Sequence, residues 1–448
     1  MTPILDYSGA RLYNVDCMDL LRSMPDASVD SVVCDPPYGL GFMGRKWDAM
    51  PPGVEWAREL LRVLKPGGHA VAFGSTRTVH RLAVALEDGG LEIRDTIHWL
   101  YYSGFPKSKD AGAAIDEHAF GVWLDENPER RAAYRAEIAG KRGNAKREID
   151  RAYQAEAGTL REVTGVSQWA HVRGAERQSG YGFGGGVEAT VTAPATPAAV
   201  KWAGFGTALK PSIEPAVLAR KPLDGTVANT VLTYGTGALN IDACRIADGD
   251  PAWPGPSDEK SARAKHASVV GCDSNRSVAT YGEWGGKRTD GFNALGRFPA
   301  NTRYCPKAGR KERERGCFGL PLVSGNDAVD RKEGSDGVQN PRAGAGRTSK
   351  GVQNYHPTVK PVALMRWLCR LVTPPGGVIL DPFAGSGAAG IAAALEGFEY
   401  IGAELYPLAD RPIDIKHNPD YCSIAASRIL HATMYPDEWT IDAVKRNG

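Results

Sequence analysis

Two short stretches of this chain combine residue types that could do chemistry together. The first is Asp35-Pro36-Pro37-Tyr38, directly after the compact apolar run Ser31–Cys34. Two prolines fix φ and stop the chain from continuing as helix or strand, so the segment reads as a stiff loop. Such a loop can hold the Asp35 carboxylate and the Pro36 carbonyl as two acceptors converging on one planar amino group, with Tyr38 as a stacking face. An exocyclic amine on a nucleobase is a poor nucleophile because its lone pair is delocalised into the ring. Two acceptors on its hydrogens draw it toward tetrahedral geometry and free the lone pair for in-line attack on a methyl sulfonium. The base must then leave the helix, and Tyr38 would clamp the extruded ring. The plainer alternative is a rigid turn with a capping Asp.

The second stretch is VILDPFAGSGAAG, residues 378–390, in which a buried strand turns into a helix. Gly385 and Gly387 let backbone N–H groups approach a ligand closely. Asp381 falls at the carboxyl end of the strand, where open α/β sheets bind ligands, and its carboxylate suits a cationic group. Glu404 ends the next strand-like run, the usual place for an acid accepting two ribose hydroxyls. The loop lacks GxGxxG spacing, and the chain has no GxxxxGK[ST]. A positively charged nucleoside without a pyrophosphate fits both observations, and S-adenosylmethionine is such a ligand. The alternative is a tight turn followed by a solvated strand end.

Together, DPPY and DPFAGSG resemble the amino-methyltransferases that act on DNA, of the adenine-N6 and cytosine-N4 types. The resemblance implies an α/β fold, a Rossmann-like seven-stranded methyltransferase sheet split by a large mixed α/β insertion. The catalytic loop precedes the cofactor loop, an order similar to the β group and opposite to that of the ribosomal-RNA guanine enzymes. It covers Arg11–Lys109 and Tyr355–Leu430. The middle is similar to phage-type and prophage-type members only in phrases such as GFPKSKD, EPAVLARKPL, GALNIDACRI and YCPKAGRKERE. The resemblance implies that Asp35, Pro36, Pro37 and Tyr38 hold the target amine and base. It assigns Asp381, Phe383, Gly385, Ser386 and Gly387 to the methionine end of the cofactor, Glu404 to its ribose, and Asp16 and Cys17 to its adenine. His356 and Lys360, in HPTVKP, would pack over the methionine part. Val15 and Ala388-Ala389 depart from residues common in the family. An Asp at the head of the proline loop favours adenine N6; cytosine N4 is the alternative. A DNA-binding decoy without activity is a further one, and a protein-glutamine methyltransferase is disfavoured because that class resembles the loop with Asn first.

The elements that must position these loops follow from periodicity. Arg11–Val15, Ser31–Cys34, His69–Phe73 and Leu91–Tyr102 read as strands, alternating with helices at Met18–Ser23, Trp56–Leu64 and Thr78–Glu87, which implies a parallel sheet covered on both faces. After His356 the pattern returns: a helix from Pro361 to Val372, a strand at Val378–Leu380, a helix at Ala388–Leu395, a strand at Tyr400–Glu404 and a closing helix at Tyr421–Leu430. The catalytic core is therefore expected in residues 1–109 and 355–431, an insertion with the target-recognition region in 110–354, and a C-terminal tail in 432–448. Within the insertion, Ala111–Arg161 reads as two helices around Gly140–Gly143, Gln178–Thr196 as a glycine-rich loop, and Ala216–Arg220, Ala238–Arg245 and Arg297–Arg303 as strand-like pieces.

Composition sets wider bounds. The 448 residues are 42% hydrophobic and 24% charged, as expected of a folded globular chain. No apolar run is long enough to span a bilayer, and no secretory signal is visible, so a cytoplasmic protein is expected. A net charge of +2 does not by itself argue for nucleic acid. Residues 301–350 are locally basic, and Arg303–Arg315 could contact phosphates or form a solvated face. Trp47-Asp48, Trp99, Tyr101 and Tyr102 could flank an extruded base, although core packing is the commoner fate of such aromatics. Eight cysteines show no CxxC pair, and no metal is expected; Cys244, Cys272, Cys305 and Cys317 fit no zinc knuckle or ribbon. Expected partners are double-stranded DNA and no membrane. A homodimer, and a nuclease on a separate chain in a restriction-modification system, are left open.

Overall fold

The computed structural model describes residues 1–41, 48–101, 104, 108–141, 143–166, 190–246, 298–324, 351–405 and 420–439. Eleven strands are numbered along the described chain: β1 (Leu5–Tyr7), β2 (Ala10–Asn14), β3 (Val29–Cys34), β4 (Leu64–Phe73), β5 (Glu92–Leu100), β6 (Val163–Val166), β7 (Thr190–Thr192), β8 (Ile213–Arg220), β9 (Thr302–Tyr304), β10 (Val378–Asp381) and β11 (Glu399–Glu404). Nine form one sheet in the order β1-β2-β11-β10-β3-β4-β8-β5-β9. The five from β2 to β4 in that order are mutually parallel, and β8 is antiparallel to both its neighbours. This is the expected mixed α/β sheet, with nine strands rather than seven. The additions are at the edges, where β1 pairs antiparallel with β2 and the three-residue β9 lies beside β5.

The central strands are buried on both faces, as their near-continuous apolar runs require. Along β3, Val33 faces one layer and Val32 and Cys34 the other. Helices Val362–Val372, Ala388–Glu396 and Tyr421–Met434 cover the first face; Cys17–Ser23, Val54–Val63 and Val79–Asp88 cover the second. One charged side chain is built into this layer. Asp30 on β3 is 4% exposed; its Oδ2 accepts the Val378 N–H at 2.8 Å and its Oδ1 the Lys65 ammonium at 2.6 Å. It thereby ties the start of β10 to β3 and β4.

The inserted segment differs from expectation in three ways. Residues 213–220 are not peripheral, because β8 fills the sheet between β4 and β5, pairing Leu218 with Val71 and with Asp95. Residues 111–156 form three helices, Ala111–Glu126, Pro128–Ile138 and Gly143–Glu156, because Pro128 can start a helix but cannot continue one. Residues 238–245 are not a strand. Their polar backbone is satisfied by the neighbouring helix instead: Asn240 N–H donates to the Leu371 carbonyl at 2.9 Å, and Trp367 Nε1–H donates to the Cys244 carbonyl at 3.2 Å. Most of the glycine-rich stretch 178–196, like Cys272, Trp47 and Tyr102, lies outside the described residues; within it, β7 pairs with β6.

Replacing Asp30 with Ala leaves the part-buried Val378 N–H and the Lys65 ammonium without their acceptor. The expected loss is about 2 kcal/mol in urea unfolding. A loss under about 0.5 kcal/mol would show that the junction of β3 with β10 does not need this carboxylate.

Candidate active site

Parallel pairing of β3 with β10, Val32 opposite Leu380, places the carboxyl ends of these two strands side by side. Cys34 runs from one into Asp35-Pro36-Pro37-Tyr38, and Asp381 begins the glycine loop at the other. The loops are close enough for the Asp35 charge to act on Asp381. On the far side of β10, Glu404 ends β11 opposite Asn14 of β2, so the turn carrying Asp16 and Cys17 joins the same rim.

The proline loop is held from behind. Asp48, 2% exposed, accepts the N–H groups of Tyr38 at 2.6 Å, Gly39 at 3.0 Å and Leu40 at 3.2 Å, while Thr78 Oγ1–H donates to the Tyr38 carbonyl at 2.6 Å. Asp48 thus shapes the loop rather than flanking a base. At the front, the Tyr38 hydroxyl donates to Asp35 Oδ1 at 2.9 Å and lies 3.2 Å from Glu214 Oε2. The Lys360 ammonium donates to Asp35 Oδ2, lies 3.1 Å from the Tyr38 hydroxyl oxygen and 3.4 Å from Glu214 Oε2. Lys307 in turn donates to Glu214 Oε1 at 3.1 Å. Rings wall the cluster: Lys360 Nζ is 4.9 Å from the Phe73 ring centre and 6.0 Å from that of Trp99, and Lys307 Nζ is 4.1 Å from that of Tyr101. Trp99 and Tyr101 are core residues, and the Trp99 indole N–H donates to the Cys305 carbonyl at 2.7 Å.

The electrostatics of this cluster are mixed. Burial raises the Asp35 pKa above the usual carboxylate range, and Lys360 only partly offsets it. Burial also penalises ionised Glu214, but Lys360 and Lys307 together hold its pKa below the ordinary value. Lys360 is itself held above its ordinary pKa, because Asp35 and Glu214 outweigh its burial.

The glycine loop is arranged differently. Gly385 (φ +54°) and Gly387 (φ +79°) take the left-handed conformation, and a Cβ on Gly385 would stand 3.0 Å from His356 Nε2. The Gly385 N–H donates to Glu404 Oε2 at 2.6 Å and the Phe383 N–H to Asp381 Oδ1 at 3.1 Å. The His356 ring packs edge-on to Tyr421, with centres 4.4 Å apart. Among the described residues, no ion pair reaches Asp381 or Glu404. Burial, with the nearby charges of Glu404 and Asp35, pushes Asp381 up to about 8; burial pushes Glu404 up to about 7.

The remaining expected residues are placed as follows. Phe383 packs against Trp56 with ring centres 5.8 Å apart. Ser386 is fastened by Arg428, whose guanidinium donates to its carbonyl at 2.5 Å and its Oγ at 3.1 Å. Asp16 caps the helix Cys17–Ser23 through the Met18 N–H at 2.8 Å, and burial and then the Asp16 charge push the Cys17 thiol up to about 12. Lys360, expected with the cofactor group, has its ammonium on Asp35 instead: the run His356–Lys360, bent at Pro357, bridges the two loops, with His356 at Gly385 and Lys360 at Asp35. Arg303–Arg315 is neither a plain solvated face nor an open basic strip. Its Glu312 accepts the Val362 N–H at 2.7 Å at a helix start, and its Arg313 donates to the His356 carbonyl at 2.6 Å. Sequence reasoning missed Glu214, Lys307 and Arg428. The first two lie in the phrases EPAVLARKPL and YCPKAGRKERE, and an acid heading an otherwise apolar run was the available signal for Glu214.

Comparison with known proteins adds the following. A family model described as DNA methylase matches residues 29–409. A methylase of Escherichia coli strain K12 is 33% identical over 115 residues, covering 26% of this chain and 47% of that protein. The type II methyltransferase M.Cfr9I of Citrobacter freundii is 32% identical over 103 residues, covering 23% of this chain and 30% of that protein. These matches therefore span less than half of either relative. Among solved structures, the cytosine-N4-specific PvuII DNA methyltransferase aligns over 100% of this chain and 95% of its own, at 13% identity and a TM-score of 0.41.

An acid whose folded pKa is raised binds more protons folded than unfolded, so its contribution to stability is lost as pH rises from the ordinary carboxylate range toward the folded value. The ligand-free protein should therefore lose stability between pH 4 and about 8 through Asp381. Asp381→Asn should flatten that slope and gain at least about 1 kcal/mol at pH 8 in denaturant unfolding. An unchanged slope would mean that Asp381 is not held as an acid.

Proposed function

Because this chain belongs to the DNA methylase family, we propose that it transfers a methyl group from S-adenosylmethionine to the N6 amine of adenine in DNA. The observation that carries this is the pairing of β3 with β10, which sets the Asp35–Tyr38 loop beside the glycine loop and two acids, Asp381 and Glu404, that have no cationic partner among the described residues.

The residues fit the cofactor. Asp381 and Glu404 lie against the glycine loop with no cationic partner among the described residues, so a positively charged ligand would restore their ionised forms. Asp381, Phe383 and the Gly385–Gly387 turn would hold the methionine end, Glu404 the ribose, and the Asp16–Cys17 turn the adenine. When bound, the cofactor supplies an electrophilic methyl group on a cationic sulfur. The chain does the rest. Asp35 and the Pro36 carbonyl accept the two amine hydrogens, localise the nitrogen lone pair and aim it at the adjoining loop. Tyr38 offers its ring to the extruded base. After transfer the nitrogen carries one proton too many, and Asp35 is the base positioned to take it. In the methyltransferases that the DPPY loop resembles, aspartate at its head goes with adenine and serine with cytosine N4, and Asp35 supports adenine on that resemblance. Residues 1–109 and 355–431, together with β8, make the catalytic core, and the rest of 110–354 supplies recognition of the DNA. Among the described residues no helix is long and apolar enough to cross a membrane.

Labelled S-adenosylmethionine, unmethylated duplex DNA and nucleoside mass analysis test this. N6-methyl-2′-deoxyadenosine is expected, with a loss of about 100-fold or more in Asp35→Ala. N4-methylcytosine would overturn the base assignment, and no methylated nucleoside would overturn the activity. Cofactor affinity should rise about 50-fold between pH 6 and 7 as the two acids ionise, and only about tenfold in Glu404→Gln. Calorimetry showing pH-independent affinity in the native protein would contradict the assignment of Asp381 and Glu404.

A further inference from the structure

The charged groups around Tyr38 carry an inference that deepens, and rests on, amine methylation. Lys360 is 5% exposed, and its ammonium is shared between Asp35 and Glu214. Glu214 arrives on β8 from the inserted segment, and Lys307 follows β9; their 3.1 Å pair fixes the second carboxylate. We propose that Lys360 is a positioning residue for Asp35, anchored by Glu214 and through it by Lys307, so that the target amine meets a fixed carboxylate and not a carboxylic acid.

The requirement is chemical. A protonated Asp35 would present a hydrogen where the amine needs an acceptor, and burial favours that protonated form. The adjoining Lys360 cation opposes that preference, yet a lysine has a flexible stem and a point charge that wanders. Glu214 gives the ammonium a second anchor, and the rings of Phe73, Trp99 and Tyr38 screen it from water. The groups facing Asp35 are then Tyr38 on its own loop, Glu214 on β8, Lys360 before the helix Val362–Val372, and Asp381 on β10. Lys307 acts on Glu214, and burial and then the Glu214 charge raise the Tyr101 hydroxyl. The network is neutral overall, two carboxylates against two ammonium groups, which offsets the cost of burying Lys360 and half-burying the two acids beside the reacting centre.

Single-turnover methyl transfer at saturating cofactor and DNA, followed from pH 5.5 to 9, tests this with Lys360→Met, Glu214→Gln and Asp35→Ala. In Lys360→Met the rate at pH 7 should fall about 10- to 100-fold, and the acid limb should move upward by about one pH unit or more. In Glu214→Gln the limb should move downward, because a negative charge beside Asp35 is removed, while the plateau rate should fall several-fold, because Lys360 loses its second anchor. Cofactor affinity should stay within about threefold of the native protein in both. A rate loss equal at every pH, an unchanged Lys360→Met enzyme, or limbs displaced in the same direction would each overturn the proposal. If Lys360→Met does not fold, the direction in Glu214→Gln decides. Transfer surviving in Asp35→Ala would overturn the amine-holding role itself, whereas transfer lost there with unmoved limbs overturns only the part given to Lys360.

Discussion

One parallel ladder, β3 against β10, is the contact on which the rest of the site depends. It joins segments more than 340 residues apart in the chain, with Ile379 opposite Ser31 and Leu380 opposite Val32. Because parallel strands end on the same edge, that register delivers Asp35 and Asp381 to one rim. The sheet commits polar groups to the junction: Asp30 grips the start of β10, and the Ser31 and Thr373 hydroxyls share a buried hydrogen bond of 2.7 Å. A slip of one residue would turn every inward side chain of β10 to the opposite layer, so the apolar packing on both faces also protects the site.

On that rim the acids fall into two kinds. Asp35 and Glu214 have cations of the chain's own, Lys360 and Lys307, and form a neutral, partly buried set. Asp381 and Glu404 have none among the described residues, and burial pushes both far up the pH scale. Burying a carboxylate without a counter-charge is costly, so the difference has a meaning. The compensated pair is ready as it stands, whereas the uncompensated pair suits a cation brought in from outside. A neutral amine and a cationic donor are the two reactants that such a division would accommodate.

The parts legible in the sequence are those with local signatures. Asp35-Pro36-Pro37-Tyr38 and the glycine loop announce themselves by spacing, and the strands and helices of both flanks follow from periodicity. What was not legible is tertiary. Glu214 reaches the site only because β8 inserts antiparallel between β4 and β5, and nothing near residue 214 specifies those neighbours. Lys360 looked like a companion of His356, yet five residues of chain can reach up to roughly 15 Å, enough to put the two on different loops. Arg428 lies in a helix that reads as plain core packing. Its guanidinium, fully buried and lowered by burial to about 10, ties Ser386 to the carbonyls of Glu312 and Arg315. The third helix of the insertion was hidden because Pro128 can be read as a break or as a start.

The most direct test of the central claim is a crystal structure of this protein with S-adenosylmethionine bound. The predicted result places the ribose hydroxyls on Glu404, the amino-acid end against Asp381 and the Gly385–Gly387 turn, and the methyl group facing Asp35 across the β3–β10 junction. A cofactor seated elsewhere, or seated on Glu404 with its methyl group turned away from Asp35, would contradict it.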